Sequence, residues 1–373
     1  MQIIAILIGA VVLFFVQQEL YRRLWAENLS VDLSLSDDKS VECQELILFE
    51  TITNKKLLPL PMLKVKFITS KYFIFEDSEH AKVTDQYYRN DLLPVMMYQK
   101  LTRSLPFLCS HRGYFTIKQM DIVCCDIFLT FEAVNLYPVD IRLYVYPRLV
   151  ESNRFQILFQ KMLGTVLTRR FINEDPFEFR AIREYQSYDT LKSVNWKASA
   201  KTGTLKVNVH DATSSQQIKI FLNLESETNR IEEDIIEESI RIAATFAGSF
   251  IGQGIPTAVY TNGRDIVTKK IINITAGSGT NHTQNIMEVL ARIDNKLGVP
   301  NFVPVIQEEL LKASENDYVI LVSSYQREDL QNLLSLMQSQ KSEFTWIVPL
   351  EHGGKIKVND QLAACTIPWE MES

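Results

Sequence analysis

The hydrophobic period of this chain changes once, and this change constrains the fold more than any other feature. From about residue 29 to residue 147 apolar and polar residues alternate, as in VDLSLS, ELILFETIT and LKVKFIT. Such alternation is typical of half-buried strands, and a succession of short strands predicts an antiparallel β-sandwich. From about residue 216 onwards, apolar strands such as Ile218–Leu224 alternate with segments of helical period. This second pattern predicts a mostly parallel sheet with helices on both faces.

An apolar run precedes both regions. Ile3–Val16 is 14 residues long and as a helix spans only about 21 Å, less than the ~30 Å hydrocarbon layer. The absence of basic residues before the run favours an uncleaved anchor, with a signal peptide and a surface-lying helix as alternatives. Aromatic and basic anchors extend the helix to Trp25, so we expect the lipid bilayer to contact residues 3–25. Arg22 and Arg23 follow the run and predict, by the positive-inside rule, that the bulk of the chain is cytoplasmic.

Composition and cysteine usage exclude some functions. The net charge of −6 argues against a general nucleic-acid binder. The cysteines are odd in number, none has Cys-x-x-Cys spacing, and the histidines do not cluster with them, which argues against a zinc site. We expect the five cysteines to act as small buried hydrophobic residues in a reducing compartment. The five are Cys43, Cys109, Cys124, Cys125 and Cys365.

Charged, aromatic and amide residues crowd together without a regular period over Glu174–Lys206. Long irregular segments in compact chains tend to be functional or disordered, and the aromatic content argues against disorder. The stretch Arg169–Lys206 is net basic, whereas Glu225–Glu238 is strongly acidic. These are either two solvated faces or a docking surface for a partner. Tyr185 and Trp196 are predicted to be buried anchors, with a partner-docking or ligand surface as the alternative.

Four aromatic residues in the β-rich region have two interpretations. They are predicted to lie in the core, because aromatic side chains dominate strand interiors, and the alternative is an exposed contact surface. The four are Tyr87, Tyr88, Tyr98 and Phe107.

Five short motifs in and around this segment occur in a fixed order: Glu178-Phe179, Arg183-Glu184-Tyr185, Asp189, Trp196-Lys197-Ala198-Ser199-Ala200 and Gly203. The region resembles the signature of the bacterial membrane-protein family called domain of unknown function 58, and the second unit resembles a von Willebrand factor A-type domain. Three positions depart from the signature: Tyr188 stands in place of a Gly before Asp189, Lys192 replaces an Arg, and Asn195 replaces an acidic residue or His. The resemblance implies partnership with a MoxR-type AAA+ ATPase in the assembly or maturation of other complexes, together with other membrane-associated proteins.

The resemblance also raises the question of a metal site. Such domains bind Mg²⁺ through Asp-x-Ser-x-Ser after the first strand, but here the matching positions are Asn223, Glu225 and Glu227. Ser323 and Ser324 stand after a later strand where an Asp would be expected. We therefore expect a lost metal site and no cofactor, with a fortuitous metal site through Glu225 and Glu227 as the alternative.

Together these features predict a bacterial, non-enzymatic scaffold or adaptor, single-pass in the cell membrane, that does not bind nucleic acid. The alternatives are a hydrolase that uses Glu178, Asp189 and Lys197, and a secreted adhesin-like protein. Five segments are predicted: an anchor helix over 1–27, a β-sandwich over 28–150, the signature segment over 151–215 packing on the α/β domain, a von Willebrand factor A-like, Rossmann-like α/β domain over 216–350, and a carboxyl-terminal tail over 351–373. The predicted signature or partner-binding residues are Glu178, Phe179, Arg183, Glu184, Tyr185, Asp189, Lys192, Asn195, Trp196, Lys197, Ala198 and Ala200.

Overall fold

The chain forms two compact units, Met1–Arg148 and Leu149–Ser373, in a computed structural model. The structure describes residues 2–76, 81–83, 86–172, 179–186, 194–210, 216–226, 233–310, 317–339 and 343–371.

The first unit begins with helix α1 (Gln2–Leu24), which is long and apolar enough to cross a membrane. Its last turn belongs to the folded unit, because Tyr21 and Trp25 are buried in the core. The Tyr21 hydroxyl donates a hydrogen bond to the Pro59 carbonyl at 2.7 Å. The end of the helix is thereby fixed to the strands that follow it.

Two sheets share the core of this unit. One has the order β1 (Leu29–Leu35), β3 (Glu45–Asn54), β8 (Lys100–Cys109), β5 (Phe73–Phe75). The other has the order β2 (Lys39–Val41), β10 (Glu132–Tyr146), β9 (Gly113–Cys125), β4 (Leu60–Ser70), β7 (Gln86–Val95), β6 (Ala81–Val83). Pairing is antiparallel except between β2 and β10. Alternate residues of both sheets, such as Leu48 and Ile122, point into one hydrophobic cluster.

The four aromatic residues singled out in the sequence of this unit are not equally buried where the structure describes them. Phe107 lies in the core, as predicted. The prediction is wrong for Tyr98, whose side chain is 67% exposed, because it lies in the turn between β7 and β8 with a positive φ of 49°. The side chains of Tyr87 and Tyr88 lie outside the described part. Among the cysteines, Cys109, Cys124 and Cys125 are buried, whereas Cys43 is exposed and Cys365 is partly exposed.

The second unit is built on a six-stranded sheet with the order β15 (Ile271–Gly277), β14 (Thr257–Arg264), β13 (Ile218–Leu222), β16 (Tyr318–Val322), β17 (Phe344–Leu350), β18 (Thr366–Glu370). Only β15 runs antiparallel to its neighbour. Helix α4 (Glu233–Gly252) packs on the sheet and α5 (Thr280–Ala291) on α4. Helices α6 (Val303–Leu310) and α7 (Glu328–Ser339) share a core with Phe221 and Trp346.

Five elements of this unit were not predicted from the sequence. Helix α2 (Asn153–Ile172) packs on α4, where the rings of Phe155 and Phe246 lie 4.8 Å apart. A two-stranded sheet pairs β11 (Phe179–Glu184) with β12 (Lys206–His210), and α3 (Trp196–Thr202) precedes β12. The segment described above as a tail contains β18, which pairs with β17 and buries Trp369.

Candidate functional site

The chain reverses its winding direction at the centre of the six-stranded sheet. Strands β13 and β16 are neighbours, and the strands that follow each of them lie on opposite sides of this pair. In open α/β sheets ligands bind at such a switch point, beyond the carboxyl ends of the strands. The residues to consider therefore follow Leu222 and Val322.

Amide and hydroxyl side chains fill this edge of the sheet. Asn223 donates through Nδ2 to Ser323 Oγ at 3.1 Å. Its Oδ1 accepts from Asn262 Nδ2 at 2.9 Å and from the backbone N–H of Glu225 at 3.0 Å. Asn262 in turn accepts from the Leu224 N–H and donates to the Pro300 carbonyl.

The network fixes which way the Asn223 amide points. Two donors, Asn262 Nδ2 and the Glu225 N–H, converge on one atom of its side chain, and only the amide oxygen can accept from both. The opposite atom is therefore the NH₂ group, which faces Ser323. Asn223, Asn262 and Ser323 are all buried, so their polar atoms depend on one another rather than on water.

Replacing Asn223 with alanine is expected to lower the free energy of unfolding of the second unit by about 2 kcal/mol, because buried groups on Asn262 and Ser323 each lose a partner. The measurement is peroxide oxidation of the buried Met337 along a urea gradient, read by mass spectrometry. The control Asn281→Ala removes an exposed amide from the first turn of α5 and should cost no more than about 0.5 kcal/mol. Equal losses in the two variants would contradict the role given to the network.

Glu225 is the one carboxylate of the predicted metal positions that the structure describes. Burial raises the pKa of the Glu225 carboxyl, and the nearby negative charge of Asp329 raises it further. The hydrogen bond from the Phe302 N–H, the Asn223 side chain and Arg327 each act in the opposite direction without reversing the shift. The Phe302 N–H lies 3.0 Å from Glu225 Oε2. Beside it, the Tyr325 hydroxyl donates to Asp329 at 3.0 Å.

This arrangement does not fit a magnesium ion. The Asn223 NH₂ group, which cannot ligate a cation, occupies the side facing Ser323, and the Glu225 carboxylate is engaged by a backbone N–H. In the described part of the chain no three His, Cys, Asp or Glu residues are placed to hold a metal ion together. Glu227, the third predicted position, lies outside the described residues.

Sequence reasoning missed Asn262, which completes the network. Asn262 lies near the carboxyl end of β14, beside β13, at the same edge of the sheet. The rule that placed the loops after β13 and β16 at the site applies equally to this neighbouring strand. A polar residue near the carboxyl end of β14 therefore indicated, from the sequence alone, a side chain that belongs to the site.

The signature motif forms a small, tightly connected layer in the second unit. Asn195 begins α3, and its side chain accepts the Ala198 N–H at 2.9 Å. Ser199 Oγ donates to the Asn195 carbonyl and accepts the Lys206 N–H, each at 2.8 Å. Gly203 ends the helix at φ 72°, a left-handed conformation that glycine adopts without strain. The motif therefore specifies a short helix clamped to β12.

None of the signature side chains that the structure describes is fully buried. Trp196 is 65% exposed, so the prediction that it is a buried anchor is wrong: Val194 and Val207 form the buried contact instead. Lys197 and Ala200 are exposed, whereas Ala198 and Tyr185 are partly buried. Phe179 pairs through its backbone with His210.

The charged residues of the signature motifs are only partly described. Arg183 donates to the Glu184 carbonyl at 3.1 Å, and Glu184 pairs with Lys206 at 3.0 Å. Glu178, Asp189 and Lys192 lie outside the described residues, so of the three residues of the hydrolase hypothesis the structure describes only Lys197.

No protein-family model matches the chain, and no curated protein matches it. Among solved structures, AvmM, which catalyses macrocyclisation in alchivemycin A biosynthesis, is 11% identical over 34% of this chain and 93% of its own, with a TM-score of 0.24. The sporulation control protein of Bacillus subtilis is 11% identical over 43% of this chain and 58% of its own, with a TM-score of 0.18. A cohesin module from Clostridium perfringens is 7% identical over 32% of this chain and 96% of its own, with a TM-score of 0.23. At these TM-scores the similarities carry no information about fold or function.

Proposed function

We propose that this protein is a membrane-anchored, non-enzymatic scaffold that docks a protein partner through its signature layer. The observation that carries the proposal is the exposure of Trp196 on a helix whose conformation is fixed by Asn195, Ser199 and Gly203. Exposed tryptophans on rigid supports are the residues that dominate binding energy in protein interfaces. Ile182 and Leu205, in the same small layer, are also exposed.

The sheet edge supports a binding role over a chemical one. In this proposal the second unit is a von Willebrand factor A-like domain. The edge of its sheet where a ligand would bind is filled by the amide side chains of Asn223 and Asn262. The strand order, in which the first and fourth strands lie at the centre, supports the assignment. The two sheets of the first unit, with their common core, support a β-sandwich that acts as a spacer.

The proposed anchor is α1, with the bulk of the chain in the cytoplasm. Arg22 and Arg23 lie in its last turn, and both side chains are exposed. Basic residues at one end of a spanning helix favour the cytoplasmic side. The partner proposed from the family resemblance is a MoxR-type AAA+ ATPase, which would hydrolyse the nucleotide.

Affinity purification from detergent-solubilised membranes tests the partner. The wild-type chain is expected to retain an AAA+ ATPase, and Trp196→Ala is expected to weaken its retention at least about tenfold, as loss of a central interface tryptophan does. The matched control is Leu336→Ala, which removes an exposed apolar side chain from α7 and should leave retention unchanged. A wild-type eluate without any ATPase would overturn the partner, and equal loss in both variants would overturn the role of Trp196.

A further inference from the structure

The connection between β9 and β10 exposes three consecutive large apolar side chains. Ile127, Phe128 and Leu129 are 55%, 59% and 60% exposed. Single exposed apolar residues are normal on protein surfaces, but contiguous apolar patches mark interaction sites. The patch formed by these three side chains is therefore expected to be covered by another molecule or by the membrane.

The position of this loop relative to α1 identifies what covers the patch. The rings of Phe14 and Phe128 lie 5.7 Å apart, and Gln17 donates to the Asp126 carboxylate at 3.0 Å. Phe14 belongs to the apolar run Ile3–Val16, which must be inside the bilayer if α1 is an anchor. Because the two rings are in contact, Phe128 must lie at nearly the same depth.

The loop backbone is suited to a medium without water. Asp126 Oδ1 accepts the N–H groups of Thr130 at 2.6 Å and Phe131 at 3.0 Å, and the Leu129 N–H donates to the Asp126 carbonyl. The Thr130 hydroxyl also donates to this carboxylate, at 2.7 Å. Backbone donors inside a membrane must be satisfied by the protein itself. Asp126 accepts the N–H groups of Leu129, Thr130 and Phe131 in this way, while the side chains of residues 127–129 are apolar.

A second loop lies beside the helix at a shallower level. Leu57, which is 70% exposed, lines a cavity of about 260 Å³ together with Leu20 and Leu24 of α1. Leu20 follows Phe14 by six residues, or about 9 Å along the helix. Lys56 is fixed there by hydrogen bonds to the carbonyls of Trp25 and Glu27 at 2.6 and 2.7 Å.

We propose that the β9–β10 loop inserts Ile127, Phe128 and Leu129 into the bilayer beside α1, while Leu57 lies at the level of the headgroups. The inference rests on the proposed anchor role of α1. The inserted loop adds apolar side chains beside α1 at the depth of Phe14. The first unit is then held against the membrane at a fixed angle rather than tethered by a helix alone.

Tryptophan quenching by brominated lipids tests the depth of each loop. The full chain is reconstituted into vesicles of phosphatidylcholine and phosphatidylglycerol that carry bromine either deep in the acyl chains or close to the headgroups. Phe128→Trp is expected to lose most of its added emission to the deep bromines, and Leu57→Trp to be quenched more strongly by the shallow ones. The control Ile74→Trp adds an exposed tryptophan at the opposite end of the same sheets and should not be quenched.

Flotation and alkaline extraction of the same vesicles separate the two proposals. If the protein floats and resists extraction but the added emission of Phe128→Trp is unquenched, the loop proposal falls and the anchor stands. A blue-shifted but unquenched signal from that variant would assign the patch to a protein contact and likewise overturn lipid insertion. Failure to float would overturn both, and quenching of Ile74→Trp to the same extent would show that insertion is not specific to this loop.

Discussion

Replacing Asp317 with alanine is expected to destabilise the second unit by about 3–5 kcal/mol, because it leaves a buried lysine without its counter-charge. Lys219 Nζ lies 3.1 Å from Asp317 Oδ2, and the two side chains are only 3% and 1% exposed. Gln217 also donates to the same carboxylate at 3.0 Å. The pair lies at the amino-terminal edge of the sheet, opposite the Asn223 network, so its loss acts on stability rather than on the site. Oxidation of Met337 along a urea gradient measures the effect.

Two further variants separate the destabilisation caused by an unpaired buried charge from the stabilisation that the ion pair itself contributes. The double variant Lys219→Met with Asp317→Leu should recover most of the lost stability, since apolar replacements of a buried pair are often neutral. Glu184→Ala breaks an exposed pair of nearly the same length, 3.0 Å to Lys206, and should cost no more than about 1 kcal/mol. If Asp317→Ala cost no more than Glu184→Ala, burial would not be the cause.

Strands β13, β16 and β17 of the second unit were readable from the sequence because they are buried on both faces. Every residue of β13, β16 and β17 is buried, so each appears as a short apolar run. Strand β18 carried no such signal: it contains Pro368, and of its five residues only Trp369 is buried. Its place is decided by pairing with β17, a tertiary contact that local pattern does not encode.

Helix α2 was within reach of the sequence and was overlooked. Phe155, Phe159, Met162 and Val166 recur at helical spacing and are all buried. These residues lie in the predicted signature segment, residues 151–215, for which no helix was predicted. The period alone was sufficient to predict the helix.

The signature layer shows where residue type misleads. Tryptophan is usually buried, so Trp196 was predicted to anchor the segment. The anchors are instead a β-branched pair, Val194 and Val207, and the small hydroxyl of Ser199. This hydroxyl accepts the Lys206 N–H of β12 and donates to the Asn195 carbonyl at the start of α3. Burial of such small residues depends on how three chain segments meet, which spacing does not reveal.

A buried ionic cluster lies between the two sheets of the first unit. Glu50 points inward from β3, with Arg103 of β8 at 3.8 Å and Asp91 of β7 beyond it, 3.5 Å from the same guanidinium. Arg89 of β7 pairs with Asp91 at 2.5 Å. Burial raises the pKa of Glu50 to about 7; Arg103 opposes the shift, Asp91 adds to it and Arg89 opposes it. The fold therefore favours the protonated carboxyl.

The first unit is expected to lose about 3 kcal/mol of stability as the pH rises from 4.5 to 7, because of Glu50 alone. The folded pKa, about 7, lies above the ordinary value of 4.5, so the folded state binds the proton more tightly than the unfolded chain. The contribution is fully present below pH 4.5 and lost as the pH passes through 7. Glu50→Gln should remove this slope, whereas Glu45→Gln, an exposed acid on the same strand, should leave it unchanged. Oxidation of the buried Met120 along urea gradients at several pH values reports on this unit, and a slope that survives in Glu50→Gln would assign the titration to another group.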